Sequence, residues 1–200
     1  MKLPQGFRSA SVAAGLKSTG ALDLTIIENQ GPNFTSASVF TTNKVVAAPV
    51  IWSRQVAKGG VVRAVVLNSG GANACTGPQG FADTHKTAEH VGELLNVSSG
   101  EVIVCSTGLI GELLPMPKII AGLDAIAPLM DNDGLQTSAQ AIMTTDSVAK
   151  IATANFNGAE FAGIAKGAGM LAPALATMLS VVMTDAVVSD NAQEIFQRAT

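Results

Sequence analysis

Residues 166–186 read KGAGMLAPALATMLSVVMTDA, and the interpretation of the whole chain depends on the change within them. The first part holds Gly167, Gly169 and Pro173, which favour bends, and from Thr177 the sequence becomes apolar and rich in β-branched residues. The pattern predicts a bent segment followed by a buried strand over 176–188. Thr177 is then either an ordinary strand residue or a nucleophile whose first substrate is the Ala176–Thr177 peptide bond.

Apolar periodicity predicts strands and helices in alternation along the rest of the chain. We expect a paired set of strands at 21–29 and 36–43, further strands at 61–68 and 101–106, and two strands around the turn dipeptide Asn157–Gly158. Helices are expected at 81–97, 117–130 and 134–143, and another begins after Ser189 or Asp190. Because the strands and helices do not follow a strict βαβ rhythm, the fold class is α/β or α+β layers, and residues 1–200 form a single domain.

The composition excludes several classes of protein. Charged residues make up 14% of the chain and aromatic residues 4%, with a net charge of −3 and no basic cluster, so we expect no nucleic-acid partner. No apolar run is long enough to cross a membrane, and the N-terminus has no continuous apolar segment, so we expect a cytoplasmic protein. So few charges indicate either a large interface with a partner or an incomplete fold.

Cysteine and histidine positions do not predict a metal site. Cys75 and Cys105 stand far apart, and we expect both to be buried thiols. His85 and His90 are five residues apart on one helix and point in different directions, so they cannot share a metal. The segment NSGGANACTG, residues 68–77, lies between a strand and a helix and is either a tight turn at Gly70 or Gly71 or a wall of an active site.

Thr177 can act without a separate catalytic base. Its hydroxyl would attack the Ala176 carbonyl, which breaks the peptide bond and frees the Thr177 α-amine. Hydrolysis of the resulting ester would restore the hydroxyl, whose proton the α-amine can then take. A free α-amine has a pKa of about 7.7–8.0, close to the pH at which a general base is most useful. This chemistry accounts for a chain with no evident Ser-His-Asp arrangement.

Several motifs together resemble one family. KGAGMLAPALATML, CSTGLIGELLPMPKI (105–119), AIMTTDSVAK (141–150) and NSGGANACTG resemble, in the same order, the motifs of the ornithine acetyltransferases, the glutamate N-acetyltransferases of arginine biosynthesis. The resemblance covers essentially all 200 residues. It implies an αββα sandwich like that of N-terminal-nucleophile enzymes, here incomplete.

The resemblance also implies a mechanism and a set of site residues. The precursor would cut itself between Ala176 and Thr177, giving an alpha-chain segment, 1–176, and the start of a beta-chain segment, 177–200. Thr177 would then carry an acetyl group from N-acetylornithine to glutamate. The remaining positions match the family's oxyanion hole, Thr107 and Gly108, and its substrate contacts, Thr144 and Lys166; a lysine suits the α-carboxylate that both substrates share.

The resemblance leaves cofactor use and assembly as expectations. No cofactor is expected, and acetyl-CoA is open as a co-substrate of a bifunctional enzyme. The expected partner is the beta chain of the same precursor, in an α2β2 heterotetramer. Family members are much longer than this sequence, which therefore looks like a fragment. Two alternatives stay open: an N-terminal-nucleophile amidohydrolase or aminopeptidase, and an inactive fragment that lacks the rest of the site.

Overall fold

The computed structural model describes residues 1–168, 177–189 and 191–200. The described part of the chain holds seven strands: Phe7–Val12 (β1), Leu24–Asn29 (β2), Ala64–Gly71 (β3), Val102–Leu109 (β4), Lys150–Phe156 (β5), Ala159–Lys166 (β6) and Leu179–Thr184 (β7). Its α-helices are Ala48–Ala57 (α1), Gly77–Leu95 (α2), Met116–Ile126 (α3), Leu135–Ala141 (α4) and Ala192–Ala199 (α5). Single 3-10 turns at Ser99–Glu101 and Ala127–Leu129 precede β4 and follow α3.

The strands form two sheets. Sheet one has the order β1-β2-β3-β4, antiparallel except for the parallel pair β3 and β4, which α2 connects. Sheet two is the antiparallel set β5-β6-β7. One parallel pair in an otherwise antiparallel arrangement agrees with the absence of a strict βαβ rhythm in the sequence.

Sheet one is buried on both faces. On one face Leu24, Ile26 and Val66 pack against α2 and α3. On the other face Ile27 and Leu67 pack against α4 and against the inward residues of sheet two, Ala162, Ile164 and Met183. The result is a helix layer, sheet one, and then sheet two with α4, which confirms the α/β layered fold predicted from the sequence.

Both borders of sheet one are covered by other parts of the chain. At β4, Ser53 Oγ on α1 donates to the Val104 carbonyl at 2.8 Å and accepts from the Val104 N–H at 3.0 Å, and Trp52 Nε1 donates to the Val102 carbonyl at 3.0 Å. At β1, the backbones of Ser9 and Asp131 exchange hydrogen bonds of 2.8 and 3.3 Å. Several of the backbone groups that the edge strands would otherwise expose, those of Val102, Val104 and Ser9, therefore have partners.

Most of the expected elements are confirmed. The strands expected at 21–29, 61–68 and 101–106 are β2, β3 and β4, and the helices at 81–97, 117–130 and 134–143 are α2, α3 and α4. Asn157 and Gly158 adopt φ of +52° and +82°, the conformation that a two-residue hairpin between β5 and β6 requires. The strand expected at 176–188 is present as Leu179–Thr184, while Ala176 lies outside the described residues.

Two expectations about local structure need correction, and two elements were not expected. The strand expected at 36–43 is wrong, because β2 pairs with β1 on one side and β3 on the other and leaves no edge for it. The sequence also gave no signal for α1 or for β1. The last helix begins at Ala192 with Asn191 as its N-cap rather than Ser189; Asp190 lies outside the described residues.

Candidate active site

Three of the predicted site residues meet where sheet one and sheet two approach each other. Lys166 Nζ donates one hydrogen bond to Thr107 Oγ1 and another to the Thr177 carbonyl, each 3.0 Å long. Lys166 and Thr107 are almost fully buried, with 5% and 2% of their surfaces exposed. The buried ammonium therefore joins the end of β4 to Thr177, two residues before β7 begins.

The position of Lys166 follows from the alternation of β6. Ala162 and Ile164 face the core between the sheets, and Lys166 is the next residue on that face. The register places Lys166 opposite Leu179 on β7, close to Thr177. Because side chains alternate between the two faces of a strand, Lys166 at the last position of β6 points into the buried space between the sheets. There its ammonium group needs hydrogen-bond acceptors.

Glycine is required where β4 passes β3. Gly108 has φ of +132°, and a Cβ built on it would lie 2.4 Å from the carbonyl carbon of Gly70, its register partner. Gly70 has φ of +110°, and a Cβ there would lie 2.8 Å from the Leu16 carbonyl oxygen. The end of β3, the end of β4 and the loop at residue 16 therefore pack backbone against backbone beside Thr107.

Asn68 and Ser106 hold this bend from inside. Ser106 Oγ donates to Asn68 Oδ1 at 2.6 Å, and Asn68 Nδ2 donates to the Gly71 carbonyl at 3.0 Å. Both side chains are buried. Of the two glycines proposed for the turn, Gly70 has the positive φ and Gly71 does not. Because Gly70 is the register partner of Gly108, the segment is both a bend and a wall of the candidate site.

Asp146 connects the turn after α4 to the end of β6. Its Oδ1 accepts a hydrogen bond from the Gly167 N–H at 2.8 Å and forms an ion pair with Lys150. Its Oδ2 accepts a hydrogen bond from the Thr144 N–H at 3.2 Å. Burial of the carboxyl raises its pKa, but the hydrogen bonds from Lys150, Gly167 and Thr144 outweigh that effect and hold the pKa at about 2. The carboxylate is therefore charged at neutral pH.

Lys17 is a further cation near Asp146 and Lys166. Its side chain is half-buried and Nζ donates to the Leu22 carbonyl at 2.8 Å. Burial lowers the pKa of Lys17; the charges of Asp23 and Asp146 oppose that change, and the charge of Lys166 adds to it. The fully buried Asp23 holds the loop, since its carboxylate accepts the backbone N–H groups of Ala14, Leu16 and Lys17 at 2.7, 2.6 and 3.0 Å.

The predicted residues thus differ in how closely the structure brings them together. Thr107, Lys166 and Thr177 are linked directly, and Gly108 follows Thr107 at the exposed end of β4. Thr144 is exposed and joins the group only through its backbone bond to Asp146. The roles of Lys17, Asp23 and Asp146 were not predicted. The one sequence signal for them is Asp23, an aspartate placed directly before the apolar strand β2 and after a segment with glycines at 15 and 20.

The cysteines and histidines lie apart from these contacts. The expectation of two buried thiols is wrong for Cys75, which is exposed in the bend before α2, where its φ is +58°. Cys105 is partly buried, and burial of its thiol raises the pKa to about 12, so the thiol stays protonated. His85 packs on Trp52, and His90 Nε2 contacts Asp124 Oδ1 at 2.7 Å.

Within the described residues, no helix is long and apolar enough to cross a membrane.

Comparison with known proteins gives a consistent result. The model of a family described as the ArgJ family matches residues 8–200. Proteins named arginine biosynthesis bifunctional protein ArgJ are 58% identical in Thermobifida fusca over 93% of this chain, and 54% identical in Mycobacterium tuberculosis over 96% of it. In both cases the match covers 49% of the relative, so the chain spans about half the length of the curated relatives it matches.

Solved structures are similar in fold. The crystal structure of ornithine acetyltransferase complexed with ornithine from Mycobacterium tuberculosis matches with a TM-score of 0.76 at 47% identity, over 88% of this chain and 94% of that one. The arginine biosynthesis bifunctional protein argJ from Bacillus halodurans matches with a TM-score of 0.76 at 34% identity, over 90% of this chain and 97% of that one.

Proposed function

Because the chain belongs to the ArgJ family, we propose that it is the nucleophile-bearing part of a glutamate N-acetyltransferase of arginine biosynthesis. The enzyme moves an acetyl group from N-acetylornithine to glutamate through an acetyl ester on Thr177. The observation that carries this proposal is the pair of hydrogen bonds from Lys166 Nζ to Thr107 Oγ1 and to the Thr177 carbonyl. It joins the proposed nucleophile, oxyanion donor and carboxylate-binding group at one buried point.

The proposed maturation begins with Thr177 in the uncut chain. Thr177 Oγ attacks the Ala176 carbonyl carbon, the peptide C–N bond breaks, and the chain is joined through an ester. The departing nitrogen takes the hydroxyl proton and becomes the Thr177 α-amine; water then hydrolyses the ester, which releases the Ala176 carboxylate and restores the Thr177 hydroxyl. Support comes from the coverage of the Mycobacterium tuberculosis proteins: this chain matches about half of the curated protein but nearly all of the chain in the crystal structure.

The transfer itself uses the same hydroxyl. Thr177 Oγ attacks the acetyl carbon of N-acetylornithine and its proton passes to the α-amine, which then protonates the departing ornithine amine. The amine of glutamate attacks the acetyl ester, and Thr177 Oγ leaves with a proton. Thr107 suits the oxyanion hole because its hydroxyl accepts from Lys166 and so keeps its own O–H free to donate; one such donor is commonly worth about 3 kcal/mol of transition-state stabilisation.

The other parts of the proposal concern substrate binding and assembly. The Gly108 N–H is the second oxyanion donor, and Lys166 and Thr144 contact the substrate. No cofactor takes part in this chemistry. The beta chain, the α2β2 heterotetramer and a cytoplasmic location stay predictions. The relatives' name, bifunctional, favours a second reaction in which acetyl-CoA donates the acetyl group to glutamate; acetylation of glutamate by acetyl-CoA in the absence of acetylornithine tests it.

The test uses the complete protein that contains this chain, with Thr177→Ala and Thr177→Ser as variants. We expect intact mass to show two species meeting at Ala176/Thr177 in the wild type and one species in Thr177→Ala, which has no hydroxyl. Thr177→Ser keeps a hydroxyl and should retain part of both cleavage and transfer. Thr184→Ala, in β7, is the matched control and should cleave normally.

The same preparations separate the alternatives. Acetylornithine that is consumed only when glutamate is present identifies a transferase, and release of free acetate at the same rate without glutamate identifies a hydrolase. A wild type that is neither cut nor active overturns the proposed function. A cut but inactive protein would support only the self-cleavage.

A further inference from the structure

One buried carboxylate has no part in the proposed chemistry. Asp146 is 8% exposed and lies 21 residues before Gly167, yet its Oδ1 accepts the Gly167 N–H at 2.8 Å. Gly167 follows Lys166 directly and begins the segment that leads to Thr177. A carboxylate that holds a backbone N–H at this point fixes the direction in which the chain leaves β6.

Asp146 also ties this point to a third segment. Its Oδ2 accepts the N–H of Thr144, and Lys150 at the start of β5 forms an ion pair with its Oδ1. The turn after α4, the start of β5 and the end of β6 therefore converge on one carboxylate. Each of these contacts has a charged partner, which makes it stronger than a neutral hydrogen bond.

The charges around Lys166 come from several segments of the chain. Asp146 and Lys150 act on it from the turn after α4 and from β5, and Lys17, itself beside Asp23, acts from the loop before β2. Burial lowers the pKa of Lys166, Asp146 opposes that change, and Lys150 adds to it. After cleavage, the Thr177 α-amine is a further titrating group beside this cluster.

We propose that Asp146 is a positioning residue for the reaction at Thr177: it fixes the chain at Gly167 and so holds the neighbouring Lys166 in place. The proposal rests on the proposed function. Asp146 does not touch the substrate in this account, and it acts through Gly167 and Lys166. Because Lys166 Nζ donates to the Thr177 carbonyl, a contact that does not depend on the peptide bond before Thr177, removing the Asp146 charge disturbs the alignment of Thr177 in the cut protein too. It also changes the pH range in which Lys166 is charged.

The test compares Asp146→Asn, Lys150→Met and Asp185→Asn in the complete protein. Asp185 is the matched control, because its Oδ1 accepts a backbone N–H, from Glu160, near the opposite end of β6 at 2.7 Å. The measurements are kcat and KM for acetyl transfer over a range of pH, the rate of chain cleavage, and the melting temperature. The acidic limb of the pH profile reports the Thr177 α-amine, and the alkaline limb reports Lys166.

We expect opposite shifts from the two charge changes. Asp146→Asn lowers kcat by roughly ten- to a hundred-fold through misalignment and moves the alkaline limb to lower pH, because the Asp146 charge raises the pKa of Lys166. Lys150→Met removes a cation and moves the alkaline limb to higher pH. Asp185→Asn leaves kcat and both limbs unchanged.

The possible failures are distinguishable. A wild type without cleavage or transfer overturns the proposed function, and this inference with it. An active wild type with an unshifted alkaline limb in Asp146→Asn overturns the inference alone, even if the variant melts at a lower temperature. If Asp146→Asn does not fold, Lys150→Met decides: an unshifted limb in that variant overturns the inference.

Discussion

Single residues in the loop before β2 have consequences for the site at some distance from them. Asp23 is fully buried and satisfies three backbone N–H groups of the loop that carries Lys17. The loop also provides the Leu16 carbonyl that packs against Gly70. One side chain thus organises a segment that has little regular structure of its own.

Asp23→Ala should destabilise the protein, because it leaves buried N–H groups without acceptors. Hydrogen bonds to a charged group typically contribute about 1.5–3 kcal/mol, so we expect the free energy of unfolding to fall by roughly that amount or more. Urea denaturation measures it, with the exposed Asp133→Asn as a surface control. Equal unfolding curves for Asp23→Ala and the wild type would contradict this account of the loop.

At the scale of elements, the crossing of β3 and β4 is the feature that places Thr107 and Gly108. The two strands are parallel, so their carboxyl ends lie side by side, and they end in a bulge at Gly70 and Gly71. The close approach needs two residues without side chains, Gly70 and Gly108. Strand direction and glycine placement together bring the predicted oxyanion residues to the border with sheet two.

Gly108→Ala should therefore disturb this crossing more than a glycine change elsewhere in the sheets. Its positive φ alone costs about 1–3 kcal/mol for a residue with a Cβ, and the clash with Gly70 adds to that. Gly163→Ala in β6 is the control, because its new Cβ would meet Val182 at an ordinary 3.6 Å. Thermal unfolding of both variants is the measurement, and equal losses of stability would rule out a special requirement at Gly108.

The sequence predicted those elements whose signals are local. The hairpin at Asn157–Gly158 was predictable because both residues adopt positive φ readily. The false strand at 36–43 has the alternation of a strand, but its partner β2 is already paired on both sides. Helix α1 was missed because it is short, contains Val50 and Ile51, and is held by Trp52 and Ser53 against β4, contacts that local sequence does not reveal.

The candidate site could be predicted only in part for the same reason. Thr177, Thr107 and Lys166 were found through motifs, and the inward face of β6 explains why Lys166 reaches Thr107. Asp146 was overlooked because an aspartate after two threonines is typical of a turn. Its partner Gly167 lies 21 residues further along the chain, so only the folded structure brings them together.

At the scale of the whole molecule, the outer face of sheet two carries apolar side chains that no described part of the chain covers. Phe156 and Val182 lie on this face and are 68% and 58% exposed. Exposed apolar surface of this kind favours self-association. It agrees with the low charge of the sequence.

Phe156→Lys combined with Val182→Lys should make the 200-residue chain bind less hydrophobic dye and elute more nearly as a monomer. The control pair, Val45→Lys with Val187→Lys, changes two valines that are 68% and 83% exposed but lie outside the strands. Charge alone would affect both pairs equally. Equal dye binding by the two double variants would therefore contradict a special role for the sheet face.

Whereas the exposed face of sheet two favours self-association, the covered borders of sheet one oppose strand pairing between molecules. Ser53 and Trp52 occupy backbone groups of Val102 and Val104 in β4, and Asp131 occupies those of Ser9 in β1. An extended peptide from another molecule would have to displace these partners in order to pair along the middle of either border. Fibre growth or exchange of strands between copies at sheet one is therefore opposed by α1 and by the segment at Asp131.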